Sequence, residues 1–139
     1  MTSLLTLAGA QIARQSPHSN RIAAWLTRTA LEQIVDELLR AKGIEAGRAS
    51  GRARLACLEV AYHDQHEVPS RSQYAWTRLS EACHQHAYQL SPTYQEVQHL
   101  LEIVRGLQAS RPAVPVAQSR RSPISSEPCA SGDGRVYDA

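Results

Sequence analysis

Apolar residues recur every three or four positions in two long stretches of this chain, and that spacing constrains the fold more than any other feature. From 31 to 39 the apolar side chains alternate with charged ones at the period of an α-helix, and the pattern returns from 94 to 107. The core has to be aliphatic because the chain has no Phe, and Leu and Ala favour helices. No run of residues alternates as a strand does. The sequence therefore predicts an all-α fold, a small bundle of four to five helices.

Composition divides the chain into three parts. Residues 1–19 form an N-terminal segment with the spacing of one short helix, and residues 20–109 carry the helical bundle domain. Residues 110–139 contain four prolines and many serines without apolar periodicity. Such a segment buries too little apolar surface to offset the entropy of ordering. We expect it to be a disordered C-terminal tail.

Capping residues predict where the helices of the bundle begin and end. The expected helices span about 21–41, 49–62, 70–89 and 92–107. Ser19 or Asn20 is the expected N-cap of the first of these. Ser91 is the expected N-cap of the last, with Pro92 at the first helical position.

The helix at 21–41 carries two apolar faces. Its second half has one face, and its first half turns Ile22, Trp25 and Leu26 in another direction. Two faces predict contacts with two different partners. We expect one of these partners to be a second subunit, which makes a homodimer the expected assembly.

Charge and cysteine usage narrow the class of protein. The formal net charge is +2 and the pI is near 8.6, which is less basic than a dedicated nucleic-acid-binding domain. The basic residues include a local group, Arg48, Arg52 and Arg54. Three cysteines without a secretory leader favour reduced thiols and a cytoplasmic location. The apolar stretch at 4–12 is too short to span a membrane, so we expect no membrane partner.

Polar chemistry is concentrated between Arg78 and Tyr88. On a continuous helix Arg78, Glu81 and Tyr88 share one side, His84 flanks them, and His86 falls within the apolar arc. A structural interpretation makes His86 a buried histidine, hydrogen-bonded to the Tyr62 hydroxyl or to a backbone carbonyl, because an unpaired buried polar group costs about 1–3 kcal/mol. The other polar side chains would then form a solvated helix face.

Metal binding is a second interpretation of the same region. The spacings of His63 and His66, and of Cys83 and His86, let one helix present two ligands together. The candidate ligands would be Cys57, His63, His66, Cys83, His84 and His86. No spacing in the chain matches a known zinc signature, however, so we expect neither a metal nor another cofactor.

A third interpretation rests on a family resemblance. Arg78 is followed after five residues by His84, and His86 is followed after one residue by Tyr88. This pattern resembles the active helix of the HEPN superfamily (higher eukaryotes and prokaryotes nucleotide-binding), although its two halves fall on different histidines here. The resemblance covers roughly residues 28–107. It implies an all-helical domain that acts on RNA or nucleotides, in many members as a metal-independent ribonuclease, and that takes part in toxin–antitoxin or defence systems.

The resemblance also implies roles for the four residues. His84 or His86 would act as general base or acid on a ribose 2′-hydroxyl, and Arg78 would stabilise the phosphorane charge. Tyr88 would orient the histidine or contact the substrate. Such sites usually form between two subunits, in agreement with the two-faced helix.

A non-catalytic adaptor is the competing prediction. It would dimerise and bind a protein or nucleic acid through the helix at 21–41 and through the arginines at 48, 52 and 54. The sequence leaves open whether the protein is an enzyme. Arg78 and a histidine lining one solvent-open cleft would favour catalysis.

Overall fold

Five α-helices make up the computed structural model of the protein, which describes residues 3–84 and 90–111. No strand occurs in these residues, so the predicted all-α class and number of helices are confirmed. The predicted tail lies outside the described residues from 112 onward. The helices are α1 (Leu4–Ile12), α2 (Pro17–Ala41), α3 (Gly51–Ala61), α4 (Glu67–Cys83) and α5 (Tyr94–Ala109).

The long helix α2 is the centre of the bundle. It packs against each of the other four helices, and Leu31, Leu38 and Leu39 on its second half are fully buried. The apolar face predicted for 31–39 is confirmed. On its first half, Ala23, Ala24, Thr27 and Ala30 are buried, and these small side chains let neighbouring helices approach closely.

The start of α2 differs from the prediction. The Ser16 hydroxyl accepts a hydrogen bond from the Ser19 backbone N–H at 3.1 Å, and Pro17 follows in the first turn. The prediction that Ser19 or Asn20 caps the helix is therefore wrong, because Pro17 is already compatible with helical geometry. Asn20 instead donates from Nδ2 to the Pro92 carbonyl at 3.2 Å, which links the start of α2 to the start of α5.

Helix α1 belongs to the same core as the rest of the bundle. Leu5, Ala8 and Ile12 are buried at one-turn spacing. The helix packs on α2 and α5. The N-terminal segment thus covers the side of the bundle that α3 and α4 leave open.

Helix α3 is attached to α2 by one buried tyrosine. Leu55, Leu58 and Tyr62 are buried together. The Tyr62 hydroxyl donates to the Leu38 carbonyl at 2.8 Å, and burial raises the pKa of this phenol. The hydroxyl that was a candidate partner for His86 is thus used within the α2–α3 contact.

Helix α4 ends earlier than the sequence predicts. Its last residue is Cys83, and His84 follows as the C-cap with φ −100° and ψ 31°. Leu90, just beyond the predicted end of this helix, is 91% exposed. The prediction of one helix through residue 89 is wrong, because the backbone leaves helical geometry at His84.

Helix α5 is capped by Thr93 rather than by Ser91. The Thr93 hydroxyl accepts from the Glu96 backbone N–H at 3.2 Å, and the Glu96 carboxylate accepts from the Thr93 backbone N–H at 2.9 Å. This reciprocal pair is a capping box. The prediction of Ser91 as N-cap is wrong by two residues. The buried stripe predicted for α5 is confirmed at Val97, Leu100, Leu101, Val104 and Leu107.

None of the helices within residues 3–84 and 90–111 combines the length and the apolar character needed to cross a membrane.

Candidate active site

An open cleft of about 630 Å³ lies where the end of α4 meets the start of α5. Arg78 and His84, two of the four predicted catalytic residues, both line it. The segment Leu90–Thr93 forms one wall, and the hydrogen bond between Asn20 and Pro92 fixes that wall to α2. The other lining residues are Glu81, Ala82, Glu96, Val97 and Leu100.

Arg78 enters the cleft from the last turns of α4. Its Nη1 lies 3.4 Å from a Glu81 carboxylate oxygen, and its Nη2 lies 3.9 Å from a Glu96 oxygen. The side chain remains 48% exposed. Exposed ion pairs of this kind contribute only about 0–1 kcal/mol, so an incoming phosphate can exchange places with either carboxylate.

Glu96 connects the cleft to the capping box of α5. The hydrogen bond from the Thr93 backbone N–H lowers the pKa of this carboxyl below its ordinary value, against a smaller opposing effect of burial. The Thr93 hydroxyl and the nearby Arg78 guanidinium lower it further. The carboxylate is therefore ionised at neutral pH, and it is occupied in holding the helix start.

His84 lies at the C-cap of α4 with its ring exposed. Its Nε2 is 3.4 Å from Nη1 of Arg28, which lies on α2. A guanidinium has only donors, so in this contact Arg28 donates and His84 Nε2 accepts. The neutral ring then carries its proton on Nδ1.

Arg28 is the centre of a polar network behind the histidine. Its Nε lies 3.5 Å from a Glu32 carboxylate oxygen one turn further along α2. Its guanidinium carbon lies 5.8 Å from the ring centroid of Trp76, within the range of a cation–π interaction. The Arg28 side chain is only 23% exposed. Glu32 and Trp76 contact it from two sides and position it next to His84.

Trp76 owes its position to a glycine. A Cβ on Gly51 would lie 2.6 Å from Cζ2 of the indole, which is closer than side-chain carbons tolerate. The absence of a side chain at the first residue of α3 therefore lets the indole approach that helix closely. The ring in turn supports Arg28.

Cys83 borders the same network. Burial raises the pKa of its thiol, and the Glu32 carboxylate adds to the rise. The charge of Arg28 and a hydrogen bond from it oppose the rise. The thiol is therefore mostly protonated at neutral pH, and its protonation depends on the guanidinium that contacts His84.

The structure thus places the predicted residues unequally. Arg78 and His84 line one solvent-open cleft, whereas His86 and Tyr88 lie outside the described residues. Sequence reasoning missed Arg28, which is distant in the chain and reaches His84 only through the packing of α2 on α4. A signal was present in its i,i+4 spacing to Glu32 on the partly apolar half of α2.

The candidate metal ligands do not come together in the described part of the chain. No group of three or more His, Cys, Asp or Glu side chains there is arranged to hold a metal ion. His63 is exposed and its Nδ1 lies 3.1 Å from the Val60 carbonyl. His66 precedes α4 without capping it by its side chain.

The three arginines predicted to form a binding patch, at 48, 52 and 54, do not all remain available to a partner. Arg54 is ion-paired with Asp36 at 3.3 Å and donates to the Gly47 carbonyl at 3.0 Å. It therefore anchors the loop before α3. Arg48 and Arg52 remain exposed.

No protein-family model, curated protein or solved structure matches this chain.

Proposed function

We propose that this protein is a HEPN-like helical domain that cleaves RNA without a metal ion, with the cleft between α4 and α5 as its active site. The observation that supports the proposal is the convergence of Arg78 and His84 on one open cleft. Arginine and histidine suit this reaction, since one stabilises phosphate charge and the other transfers a proton. We further propose that the protein is cytoplasmic, acts as a homodimer, and belongs to a toxin–antitoxin or defence system.

In the proposed reaction His84 acts as general base on the ribose 2′-hydroxyl. The oxygen attacks the adjacent phosphorus and the bond to the 5′-oxygen of the next nucleotide breaks. The departing 5′-oxygen takes up a proton from water in the open cleft, so the products carry a 2′,3′-cyclic phosphate and a free 5′-hydroxyl. Arg78 stabilises the negative charge that develops on the phosphoryl oxygens. Nε2 of His84 is the acceptor nitrogen, and to act as the base it exchanges its long 3.4 Å contact with Arg28 for the 2′-hydroxyl.

The test is cleavage of a short labelled RNA in the presence of EDTA. We expect wild type to cleave, and His84→Ala to lose about 10²- to 10⁴-fold in rate, the usual contribution of a general base. Arg78→Ala should lose about 10²- to 10³-fold, as for removal of one charge-stabilising donor. Matched controls are His63→Ala and Arg52→Ala, which change exposed residues outside the cleft and should cleave at the wild-type rate.

Three outcomes would contradict the proposal. Equal background rates in all five proteins would exclude a ribonuclease. Activity that appears only with added zinc would favour a metal site. Cleavage of a matching substrate without 2′-hydroxyls would exclude the transesterification.

A non-catalytic dimeric adaptor is the second candidate, and one observation favours it. Trp25 on α2 is 59% exposed, and exposed tryptophans are enriched where proteins bind partners. The adaptor would bind a protein or nucleic acid through this side of α2. It predicts partner binding that is unaffected by Arg78→Ala and His84→Ala.

A further inference from the structure

A second groove, of about 380 Å³, lies beside the first half of α2 and the end of α4. Its size is in the range of small ligand sites. Trp25 is its most exposed large apolar side chain. The lining residues are His18, Arg21, Ile22, Trp25, Ala82 and Cys83.

The charges around this groove favour an anionic occupant. His18, Arg21, Trp25 and Arg28 are spaced three to four residues apart along α2, so they follow one another on one face of the helix. Among the described residues that line the groove, none is acidic. The nearest carboxylate along this face, Glu32, is already ion-paired with Arg28.

The apolar surface of this groove alone is too small to hold a second copy of the chain, so the proposed homodimer would have to form through another face. Ala23, Ala24 and Ala30 of α2 are buried in the bundle, and Ile22 and Leu26 are half-buried. Trp25 is thus the one large apolar side chain of α2 that is exposed. Specific protein–protein interfaces bury about 1,600 Å² in total, whereas one exposed indole in a groove that an arginine also lines offers a face on which a nucleic-acid base can stack.

The groove is adjacent to the cleft that Arg78 and His84 line. Ala82 lines both, and Cys83 and His84 are consecutive residues. Arg28, which contacts His84 at 3.4 Å, lies one helical turn beyond Trp25, or about 5 Å along α2. A strand bound at Trp25 would therefore lie next to the cleft that His84 lines.

We propose that Trp25 stacks one base of single-stranded RNA, while Arg21 contacts the backbone and guides the neighbouring phosphate into the cleft. The inference rests on the proposed function and names its substrate class. Duplex RNA keeps its bases paired and stacked and offers no free base face to Trp25, so the site selects single strands.

The test measures binding of labelled RNA to the full chain by fluorescence anisotropy, using 2′-O-methyl RNA that cannot be cleaved. We expect Trp25→Ala to weaken single-strand binding by about 5- to 150-fold, the range for loss of one stacked base. Trp25→Phe should keep most of the affinity because the aromatic face remains. The same sequence as a perfect duplex should bind wild type more weakly and should not respond to Trp25→Ala.

Tyr74→Ala is the matched control. Tyr74 is another exposed aromatic residue, at 48%, and its ring meets His99 edge-on rather than facing either cavity. Its replacement should leave the RNA affinity unchanged.

Several results would overturn the inference. One is wild-type affinity in Trp25→Ala, and another is absence of RNA binding in wild type. A third is sedimentation in which Trp25→Ala dissociates a dimer while RNA affinity is unchanged. The two proposals can fail separately. Binding that depends on Trp25 without any RNA cleavage contradicts the nuclease alone. Cleavage together with RNA binding that does not depend on Trp25 contradicts the stacking site alone.

Discussion

Arg28 determines the electrostatics of the candidate site, although it lies on a different helix from the residues that the sequence singles out. The pattern at 78–88 predicts Arg78 and His84 because motif residues are close in the chain. Arg28 belongs to a half of α2 whose apolar residues predict packing, and its approach to His84 depends on how α2 crosses α4. The i,i+4 spacing to Glu32 indicates an ion pair on α2, but the contact with His84 follows from tertiary packing and has no local pattern.

The effect of Arg28 can be measured on the neighbouring thiol. Arg28 lowers a Cys83 pKa that burial raises, so Arg28→Gln should move that pKa further upward. Because only the thiolate reacts, alkylation of Cys83 should then require a higher pH, whereas Arg28→Lys should shift the midpoint less. The measurement is the pH dependence of iodoacetamide labelling at each cysteine by mass spectrometry.

Cys57 is the internal control for this experiment because it is exposed and lies on α3. Its labelling midpoint should be the same in all variants. An unchanged or lower midpoint for Cys83 in a folded Arg28→Gln protein would show that the guanidinium does not act on this site.

At the scale of helices, the sequence correctly predicts the buried faces of α2 and α5, but it places several helix termini incorrectly. The stripes of α2 and α5 are confirmed because many side chains contribute to each periodicity. The sequence predicts Ser91 as the N-cap of α5 because a proline follows it. The better signal was the Thr93–Glu96 spacing of a capping box, since Pro92 is used as a buried acceptor for Asn20.

The start of α5 gives a direct prediction for the stability of the fold. Thr93→Ala should lower the free energy of unfolding by about 1 kcal/mol, the typical contribution of an N-cap. Ser91→Ala should have no measurable effect. Urea unfolding followed by circular dichroism checks both, and equal loss in the two variants would contradict the assignment of the cap.

The contribution of the Thr93–Glu96 capping box to the free energy of unfolding should depend on pH. Hydrogen bonds from Thr93 lower the pKa of Glu96, so this carboxylate stabilises the fold above its ordinary pKa. That stabilisation is lost as the pH falls through the lowered value. The difference between wild type and Thr93→Ala should therefore narrow in acid, and a difference that widens there would contradict the direction of the shift.

At the scale of the whole molecule, the cleft is a product of the bundle rather than of one motif. Its walls come from α4, α5 and the segment between 90 and 93, and α2 supports it through Asn20 and Arg28. The sequence predicts the helices and two of the lining residues. It does not predict the cleft, because no single helix contains it and because α4 ends at Cys83 instead of continuing.

The central claim is that Arg78 and His84 act together on one phosphate. A double-mutant cycle on metal-free RNA cleavage tests it most directly, comparing Arg78→Ala, His84→Ala and the double variant with wild type. Residues that serve the same chemical step are strongly non-additive, so the double variant should be no slower than the slower single variant. Losses that multiply, or an Arg78→Ala protein as fast as wild type, would contradict a shared active site.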